Sequence, residues 1–159
     1  MRIKTAPRSA ATRGPSVDVQ LAARSGAVPS PARIRRWAGA AAPRRARITV
    51  RVVGAREGRA LNRAYRGGDY ATNVLSFPYG RVAGALAGDV VLCAPVIARE
   101  AREQRKEPAA HYAHMTVHGV LHLRGYDHED DARAKRMERA ERVILRRLGY
   151  PDPYQPAGR

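Results

Sequence analysis

The feature that most constrains the fold is a histidine-rich run, HGVLHLRGYDH, at residues 118–128. If the first part of this run is helical, His118 and His122 are four residues apart and lie on one face of the helix. Gly125 follows at a position where helices commonly end in a left-handed residue, which glycine adopts without strain. The chain can reverse there and return His128, so the run predicts three imidazoles meeting at one point.

Three imidazoles are the ligand set of a catalytic zinc site. They leave the fourth tetrahedral position of the ion open to water, whereas a structural site fills all four positions. The ligand spacing is that of metzincin proteases, but those enzymes place a glutamate general base after the first histidine, where this chain has Gly119. The pattern therefore predicts zinc bound by His118, His122 and His128 and disfavours peptide hydrolysis. The alternative is an accidental cluster of polar core histidines.

Composition indicates one domain with a basic surface. The chain has 159 residues, enough to bury a core, and no apolar stretch of membrane-spanning length. Thirty Lys and Arg against 14 Asp and Glu give a formal net charge of +16. Such a charge attracts a polyanion, so nucleic acid is the predicted partner, although biased nucleotide composition of the genome would also explain the arginine excess. The single cysteine, Cys93, is predicted to be a small buried hydrophobe and suits a reducing, cytoplasmic compartment.

Apolar periodicity predicts an α/β (α+β) fold in which a small mixed four-stranded sheet packs against several helices. Strands are predicted at 17–21, 48–53, 72–77 and 89–93, and helices at 31–42, 55–66, 95–104, 108–123 and from 130 or 131 to 148. A Gly- and Ala-rich loop is expected between the third and fourth strands. The helix at 55–66 is expected to bury Ala60, Leu61, Ala64 and Tyr65. A zincin-like metal helix, 108–123, is expected in the core.

Four runs of the sequence carry a family resemblance: LNRAYRGGDYATNVLSFPYG (61–80), GDVVLC (88–93), HYAHMTVHGVLHLRGYDHEDD (111–131) and LGYPDPY (148–154). Together they resemble the YbeY family of bacterial metal-dependent endoribonucleases, which act as ribosomal RNA maturation factors. The histidine run without the metzincin glutamate distinguishes this family from the proteases. Gly68 and Tyr70 depart from the family pattern, because lysines are common at those positions.

The resemblance implies a single-strand-specific, zinc-dependent endoribonuclease that trims the 3′ end of small-subunit ribosomal RNA and takes part in ribosome quality control. Its implied partners are ribosomal RNA precursors and possible ribosomal subunits or assembly proteins, with no membrane. Two alternatives remain open: a non-catalytic RNA-binding assembly factor with a structural zinc, and a metallopeptidase. The expected domain organisation is a basic disordered tail at 1–15, one endoribonuclease domain at 16–154 and a short tail at 155–159.

Arg66 and the ligand His118 are the predicted catalytic residues. The resemblance implies that Arg66, in the motif LNxxYR, is needed for activity, and a planar guanidinium fits two oxygens of a phosphate. The alternative is that Arg66 caps its helix or pairs with Asp69. Asp127 either holds a ligand imidazole by its other N–H or caps the following turn. His114, one helical turn before His118, is expected to be an ordinary surface or core histidine.

The remaining polar residues near these motifs have less specific predicted roles. Asn73 and Ser76 either contact substrate or satisfy backbone groups at a strand edge, and Asp89 is expected to be a structural acceptor. The acids at 129–131 are expected to cap the last helix, so the sequence offers no clear general base. Attack on phosphorus by zinc-bound hydroxide and metal-assisted attack by the ribose 2′-hydroxyl both remain open. A 2′,3′-cyclic phosphate product would exclude the first route.

Overall fold

The computed structural model describes residues 14–23 and 27–156, and in this part of the chain four strands and five helices form a mixed α/β fold. The elements are β1 (Ser16–Leu21), α1 (Pro31–Ala41), β2 (Ala46–Val53), α2 (Ala55–Arg66), β3 (Val74–Val82), β4 (Ala85–Cys93), α3 (Ala94–Glu103), α4 (Pro108–Leu123) and α5 (Asp131–Arg147). The predicted fold class is confirmed. Most of the predicted N-terminal tail and the last three residues lie outside the described residues. None of the helices in the described ranges has the length and apolar character needed to span a membrane.

The sheet has the strand order β1-β2-β4-β3. The first three strands run parallel, and β3 pairs with β4 in the antiparallel direction. Strands β2 and β4 are central, and the run at 90–93 of β4 is buried without alternation, as expected for a strand covered on both faces. Cys93 at its end is buried, and burial raises the pKa of its thiol, so it packs as the small hydrophobe that the sequence predicts.

The segment between the third and fourth strands is a β-hairpin, so the expected loop there is wrong. Strand β3 continues through Pro78, and the turn is made by Ala83 and Gly84, which have positive φ of 52° and 78°. Two consecutive residues in this region are what a tight hairpin turn requires. Pro78 is tolerated because β3 lies at the sheet edge, where a missing N–H costs no ladder bond, and the strand register shifts between Pro78 and Arg81.

Helix α4 lies in the core against β3 and β4, as the sequence predicts. Its contact with the sheet is close at Gly119, where an added Cβ would lie 2.6 Å from Cγ1 of Val90. A second close contact occurs at Gly88 of β4, where an added Cβ would lie 2.6 Å from Cδ2 of Leu123. The two glycines therefore set how near the metal helix comes to the sheet.

Helix α2 buries only part of the side that the sequence predicts, since Leu61 packs partly buried against the core. Gly58 and Asn62 face inward, whereas Ala60 and Ala64 are exposed and Tyr65 is 46% exposed. An added Cβ at Gly58 would lie 2.9 Å from Sγ of Cys93, and the amide of Asn62 donates to the carbonyl of Tyr70 at 2.9 Å. Alanine is common on both buried and exposed helix faces, so it does not identify the buried one. Gly58 and Asn62 are not apolar residues, so the hydrophobic pattern of the sequence did not predict that they are buried.

Candidate metal centre

The end of α4 and the turn after it bring the predicted ligands together. His118 and His122 lie in the last turns of the helix, which ends at Leu123. Gly125 has φ of 95°, and its N–H donates to the carbonyl of His122 at 3.0 Å, while the N–H of Tyr126 donates to the carbonyl of Leu121. This is the helix termination expected of a left-handed glycine, and it reverses the chain toward His128.

The three imidazoles form a compact group. The Nε2 atoms of His118 and His122 are 3.2 Å apart. The ring centroid of His128 lies 5.8 Å from that of His118 and 5.2 Å from that of His122. One nitrogen from each ring lies within 4.8 Å of the other two. His118 and His122 are half-buried and His128 is exposed, so the group is open to solvent on one side.

These nitrogens fit a divalent cation. A tetrahedral zinc with bonds of about 2.0–2.1 Å holds two ligand nitrogens roughly 3.3 Å apart, close to the separation of the first two imidazoles. Burial, followed by the neighbouring rings of His118 and His128, lowers the pKa of His122 to about 4. The ring of His122 is therefore neutral at pH 7 and keeps a lone pair for a metal. The exposed side leaves room for a fourth ligand.

A buried carboxylate fixes the orientation of His118. Oε1 of Glu141, on α5, lies 3.2 Å from Nδ1 of His118, so the Nδ1–H donates to it and Nε2 is left as the ligand atom. The other carboxylate oxygen accepts from the hydroxyl of Tyr154 at 2.9 Å and from Nε2 of His114. Burial alone would raise the pKa of Glu141, but the hydrogen bonds from His114 and His118 outweigh it and hold that pKa at about 2.

His114, His118 and Glu141 form a second group close enough to hold a metal ion, and it shares His118 with the first. The hydrogen bonds among these three residues already explain their close approach. His114 and Glu141 are both buried, whereas the first group has an exposed member. We therefore treat the three histidines as the stronger candidate metal site and the second group as its support. His114 is the core histidine that the sequence leads one to expect.

Sequence reasoning missed Glu141 and considered Asp127 for its task. Oδ1 of Asp127 accepts from the backbone N–H of Glu129 at 3.2 Å, so Asp127 caps the turn. Asp130 accepts from the N–H of Arg133 and caps α5, as predicted. A signal for Glu141 was present, because it stands between Met137 and Leu145 on the apolar side of the last helix. A single carboxylate on a buried stripe has to find a partner in the core.

Arg66, the last residue of α2, lies beside the metal helix. Its guanidinium donates to the carbonyl of Ser76 at 2.6 Å and its Cζ lies 5.2 Å from the centroid of the Phe77 ring. The hydroxyl of Ser76 in turn donates to the carbonyl of Gly119, the residue after His118. Arg66 is thus connected to the metal helix through one residue of β3.

The alternative partner of Arg66 is wrong, because Asp69 forms its ion pair with Arg59 at 2.9 Å. The guanidinium of Arg66 also donates to the carbonyl of Tyr65 at 3.3 Å. Because this carbonyl belongs to the last turn of α2, the contact agrees with the capping alternative. Arg66 is an exposed residue despite these contacts.

The other polar residues near the site are held by protein partners. The amide of Asn73 donates to Glu100 at 3.0 Å, and its side-chain oxygen accepts from the N–H of Val74. Asp89 is buried and accepts from the hydroxyl of Tyr79 at 2.8 Å, in keeping with the predicted structural role. A cavity of about 350 Å³ opens beside the histidines, with Asn73 and Tyr154 on its wall.

The amino-acid sequence of this chain matches a known protein family. The family model for Endoribonuclease YbeY matches residues 34–149. A protein named Endoribonuclease YbeY from Thiobacillus denitrificans is 61% identical over 137 residues, which cover 86% of this chain and 93% of that protein. A protein of the same name from Stenotrophomonas maltophilia is 53% identical over 156 residues, covering 90% of this chain and 97% of that protein.

The fold also matches a solved structure. A solution structure of a protein from Thermotoga maritima aligns with a TM-score of 0.57 and 24% sequence identity, covering 90% of this chain and 99% of that one. At this identity the likeness supports the fold alone. The family match and the two close relatives go further. The chain belongs to the Endoribonuclease YbeY family, and the predicted enzyme class, a hydrolase acting on RNA, is the class of that family.

Proposed function

We propose that this chain is a zinc-dependent endoribonuclease that cuts single-stranded RNA. Its proposed role is to mature the 3′ end of small-subunit ribosomal RNA and to serve ribosome quality control in the cytoplasm, in contact with ribosomal subunits or assembly proteins. The observation that carries the proposal is the meeting of three imidazole nitrogens within 4.8 Å, in a chain whose relatives are named endoribonucleases. Residues 16–154 are proposed to form the whole catalytic domain.

His118, His122 and His128 are the proposed ligands of the ion. Zinc lowers the pKa of a bound water to about 7 and neutralises charge on a phosphoryl oxygen. Glu141 keeps the N–H of His118 on Nδ1, so that its Nε2 faces the other rings. The low pKa of His122 keeps that ring free of a competing proton at neutral pH.

Arg66 is proposed to bind the phosphate that is cut. The carbonyl of Ser76 and the ring of Phe77 hold its guanidinium from one side. A guanidinium carries five N–H donors, and the contacts to Ser76 and Tyr65 leave others for two phosphate oxygens. Charge on those oxygens increases as phosphodiester cleavage proceeds, so a fixed cation there stabilises the transition state more than the bound substrate.

The structure offers no side chain at the position of the metzincin general base. Gly119 faces Val90 of the sheet, and a side chain there would enter the core instead of the metal site. This contact argues against the metallopeptidase alternative. The nucleophile is then either a solvent molecule or the 2′-hydroxyl of the RNA itself. An unpaired strand suits both routes, because its backbone can bend into a cavity beside the histidines.

The test is cleavage of a labelled single-stranded RNA and of the matching duplex by protein purified without chelator. Cleavage of the single strand is expected, with loss on chelation, recovery with Zn²⁺ and loss in His122→Ala. Arg66→Ala is expected to lower the rate by about 10²–10³, the size typical of removing one transition-state donor. Arg63→Ala, an exposed change on the same helix, is the matched control and keeps the wild-type rate.

Cleavage at the full rate by the chelated protein or by His122→Ala contradicts the proposal. Tight RNA binding without any cleavage supports the non-catalytic assembly factor instead. Analysis of the product ends separates the two chemical routes, since a 2′,3′-cyclic phosphate arises only by attack of the 2′-hydroxyl.

A further inference from the structure

A second cavity, of about 520 Å³, lies next to the metal centre and carries three arginines and one aspartate on its wall. Its lining residues come from the turn after α4 and from the start of α5: Arg124, Gly125, Tyr126, Asp127, Arg133 and Arg136. Asp127 on its wall directly precedes His128 on the wall of the metal cavity, and Arg133 directly precedes Ala134 there. The two cavities are therefore lined by consecutive residues of the same turn and the same helix.

The charges in this cavity are only partly balanced by the protein. Arg133 lies near three carboxylates, at 3.6 Å from Asp127, 3.3 Å from Glu129 and 3.4 Å from Asp130. Arg124 and Arg136 have no carboxylate partner within residues 14–23 and 27–156. One guanidinium nitrogen of Arg124 donates to the carbonyl of Ala41 at 2.9 Å, which fixes the side chain without neutralising it. Arg124 and Arg136 thus present guanidinium groups without a direct ion pair in the described residues, while Arg133 is shared among the three carboxylates.

A single aromatic ring contacts both of these arginines. The Cζ atoms of Arg124 and Arg136 each lie 5.8 Å from the centroid of the Tyr126 ring. Attraction between a cation and the face of a ring operates at this distance. The ring therefore helps to fix both guanidinium groups at the cavity wall. A phosphodiester in the cavity offers two oxygens to donors of this kind.

We propose that Arg124, Tyr126 and Arg136 form a backbone-binding subsite for the RNA strand. It holds the phosphate of a nucleotide beside the one whose phosphate lies at the metal. This inference rests on the proposed function, since the strand in question is the RNA to be cut. Phosphate contacts fix the register of a bound strand and carry no base information, so the subsite positions RNA of any sequence.

The first test measures binding separately from cleavage. Metal-free protein is titrated onto a fluorescent single-stranded RNA octamer at several salt concentrations, and anisotropy is recorded. Arg136→Ala is the main variant, because no hydrogen bond in the described structure depends on this side chain. We expect its affinity to fall about tenfold, the scale of one charge-assisted contact, and the slope of log K against log salt to decrease by about 0.7 for one phosphate lost.

Arg139→Ala is the matched control. It removes the same charge from an exposed position of the same helix, α5, that does not line the cavity. Its affinity is expected to stay within about twofold of wild type, since exposed charges at a distance are screened by salt. Equal losses for the two variants would mean that only net charge matters, and would overturn the subsite.

The second test locates the contact on the strand. Octamers that each carry one uncharged methylphosphonate linkage are compared with the all-phosphate strand. One linkage beside the cut is expected to weaken wild-type binding about as much as Arg136→Ala does, and to cause no further loss in that variant. Equal and additive losses at every linkage would overturn the inference.

The two proposals fail in different ways. Wild-type cleavage with an unchanged affinity in Arg136→Ala overturns the subsite and leaves the endoribonuclease intact. Binding that depends on Arg136, in a protein that cuts no RNA with any metal, supports the subsite and overturns the enzyme. A protein that neither binds nor cuts single-stranded RNA overturns both.

Discussion

Glu141 shows how one residue can organise the candidate site from outside its ligand set. The carboxylate is fully buried and would be costly there without partners. Two histidines and a tyrosine supply those partners, at His118, His114 and Tyr154. His118 and His114 join α5 to the metal helix, and Tyr154 joins the C-terminal segment to the same carboxylate. The hydrogen bonds that stabilise the buried charge of Glu141 thus also fix the orientation of the ligand His118.

Replacing Glu141 by glutamine is predicted to weaken metal binding. Glutamine nearly keeps the shape but lowers the basicity of His118, and loss of such a partner typically costs 10- to 100-fold in metal affinity. Competition with a fluorescent zinc chelator measures the effect. Glu103→Gln, which changes an exposed carboxylate on α3 outside the metal cavity, is the control and is expected to bind as wild type does. Equal affinities for Glu141→Gln and wild type would remove Glu141 from the site.

Tyr112 is predicted to make stability depend on pH in alkaline solution. Burial raises the pKa of its hydroxyl to about 12, so the folded protein holds this proton over a range where the unfolded chain loses it. The contribution is complete below pH about 10 and is lost as the pH rises toward 12, a change of roughly 2–3 kcal/mol. Urea unfolding from pH 9 to 12 should show this loss in wild type and a shallower one in Tyr112→Phe. Parallel curves would contradict it.

At the scale of elements, the metal centre depends on how closely α4 approaches the sheet. The helix has no side chain at Gly119, so its backbone lies directly against Val90 and Val74. Ser76, on the same strand as Val74, adds a hydrogen bond to the carbonyl of Gly119. The position where metzincin proteases carry a catalytic glutamate is therefore a packing position in this fold. The position of His118 follows directly from that contact.

Gly119→Ala is predicted to destabilise the protein. The new Cβ would lie 2.6 Å from Val90, and overpacking of this kind costs about 1–3 kcal/mol, more than the ~1 kcal/mol that alanine gains in a helix. Gly39→Ala, in α1, is the matched control, because its nearest contact would be Pro15 at 4.0 Å. Thermal unfolding should show a lower Tm for the first variant and an equal or higher Tm for the second. The reverse order would contradict the packing argument.

The parts of this structure that the sequence predicts are those with local causes. The histidine spacing and Gly125 specify the helix, the turn and the ligand group, and β-branched runs specify the central strands. Features that depend on distant contacts were missed. Glu141 finds its partners on α4 and on the C-terminal segment, and the turn at Ala83 places an alanine at positive φ, which composition does not reveal. The predicted buried side of α2 was largely wrong, because the inward-facing residues of this helix contact Cys93 and Tyr70, which lie outside the helix.

At the level of the complete chain, positive charge is concentrated toward the N-terminus. The sheet, the helices and the histidine group described above lie within residues 14–23 and 27–156. The first 13 residues contribute four positive charges and no negative one to a formal net charge of +16. Charge of this kind strengthens binding to a polyanion without specifying its sequence. The N-terminal charges are therefore expected to add to the affinity for RNA independently of the histidine group.

Removing residues 2–13 is predicted to weaken RNA binding while leaving the fold and the metal site unchanged. Far-UV circular dichroism, Tm and zinc affinity should match those of the full chain. Affinity for single-stranded RNA should fall, with a smaller salt dependence, because fewer counterions are released from the RNA. A large loss of Tm would show that the segment belongs to the folded domain and would move the proposed boundary.

The most direct test of the central claim is a titration of metal-free protein with Zn²⁺ in which bound metal and RNA cleavage are followed together. The cleavage rate is expected to rise in proportion to bound zinc, to reach its maximum at one ion per chain, and to stay at background in His128→Ala at every zinc concentration. Full activity without bound metal, or one tightly bound ion and normal cleavage in His128→Ala, would contradict it.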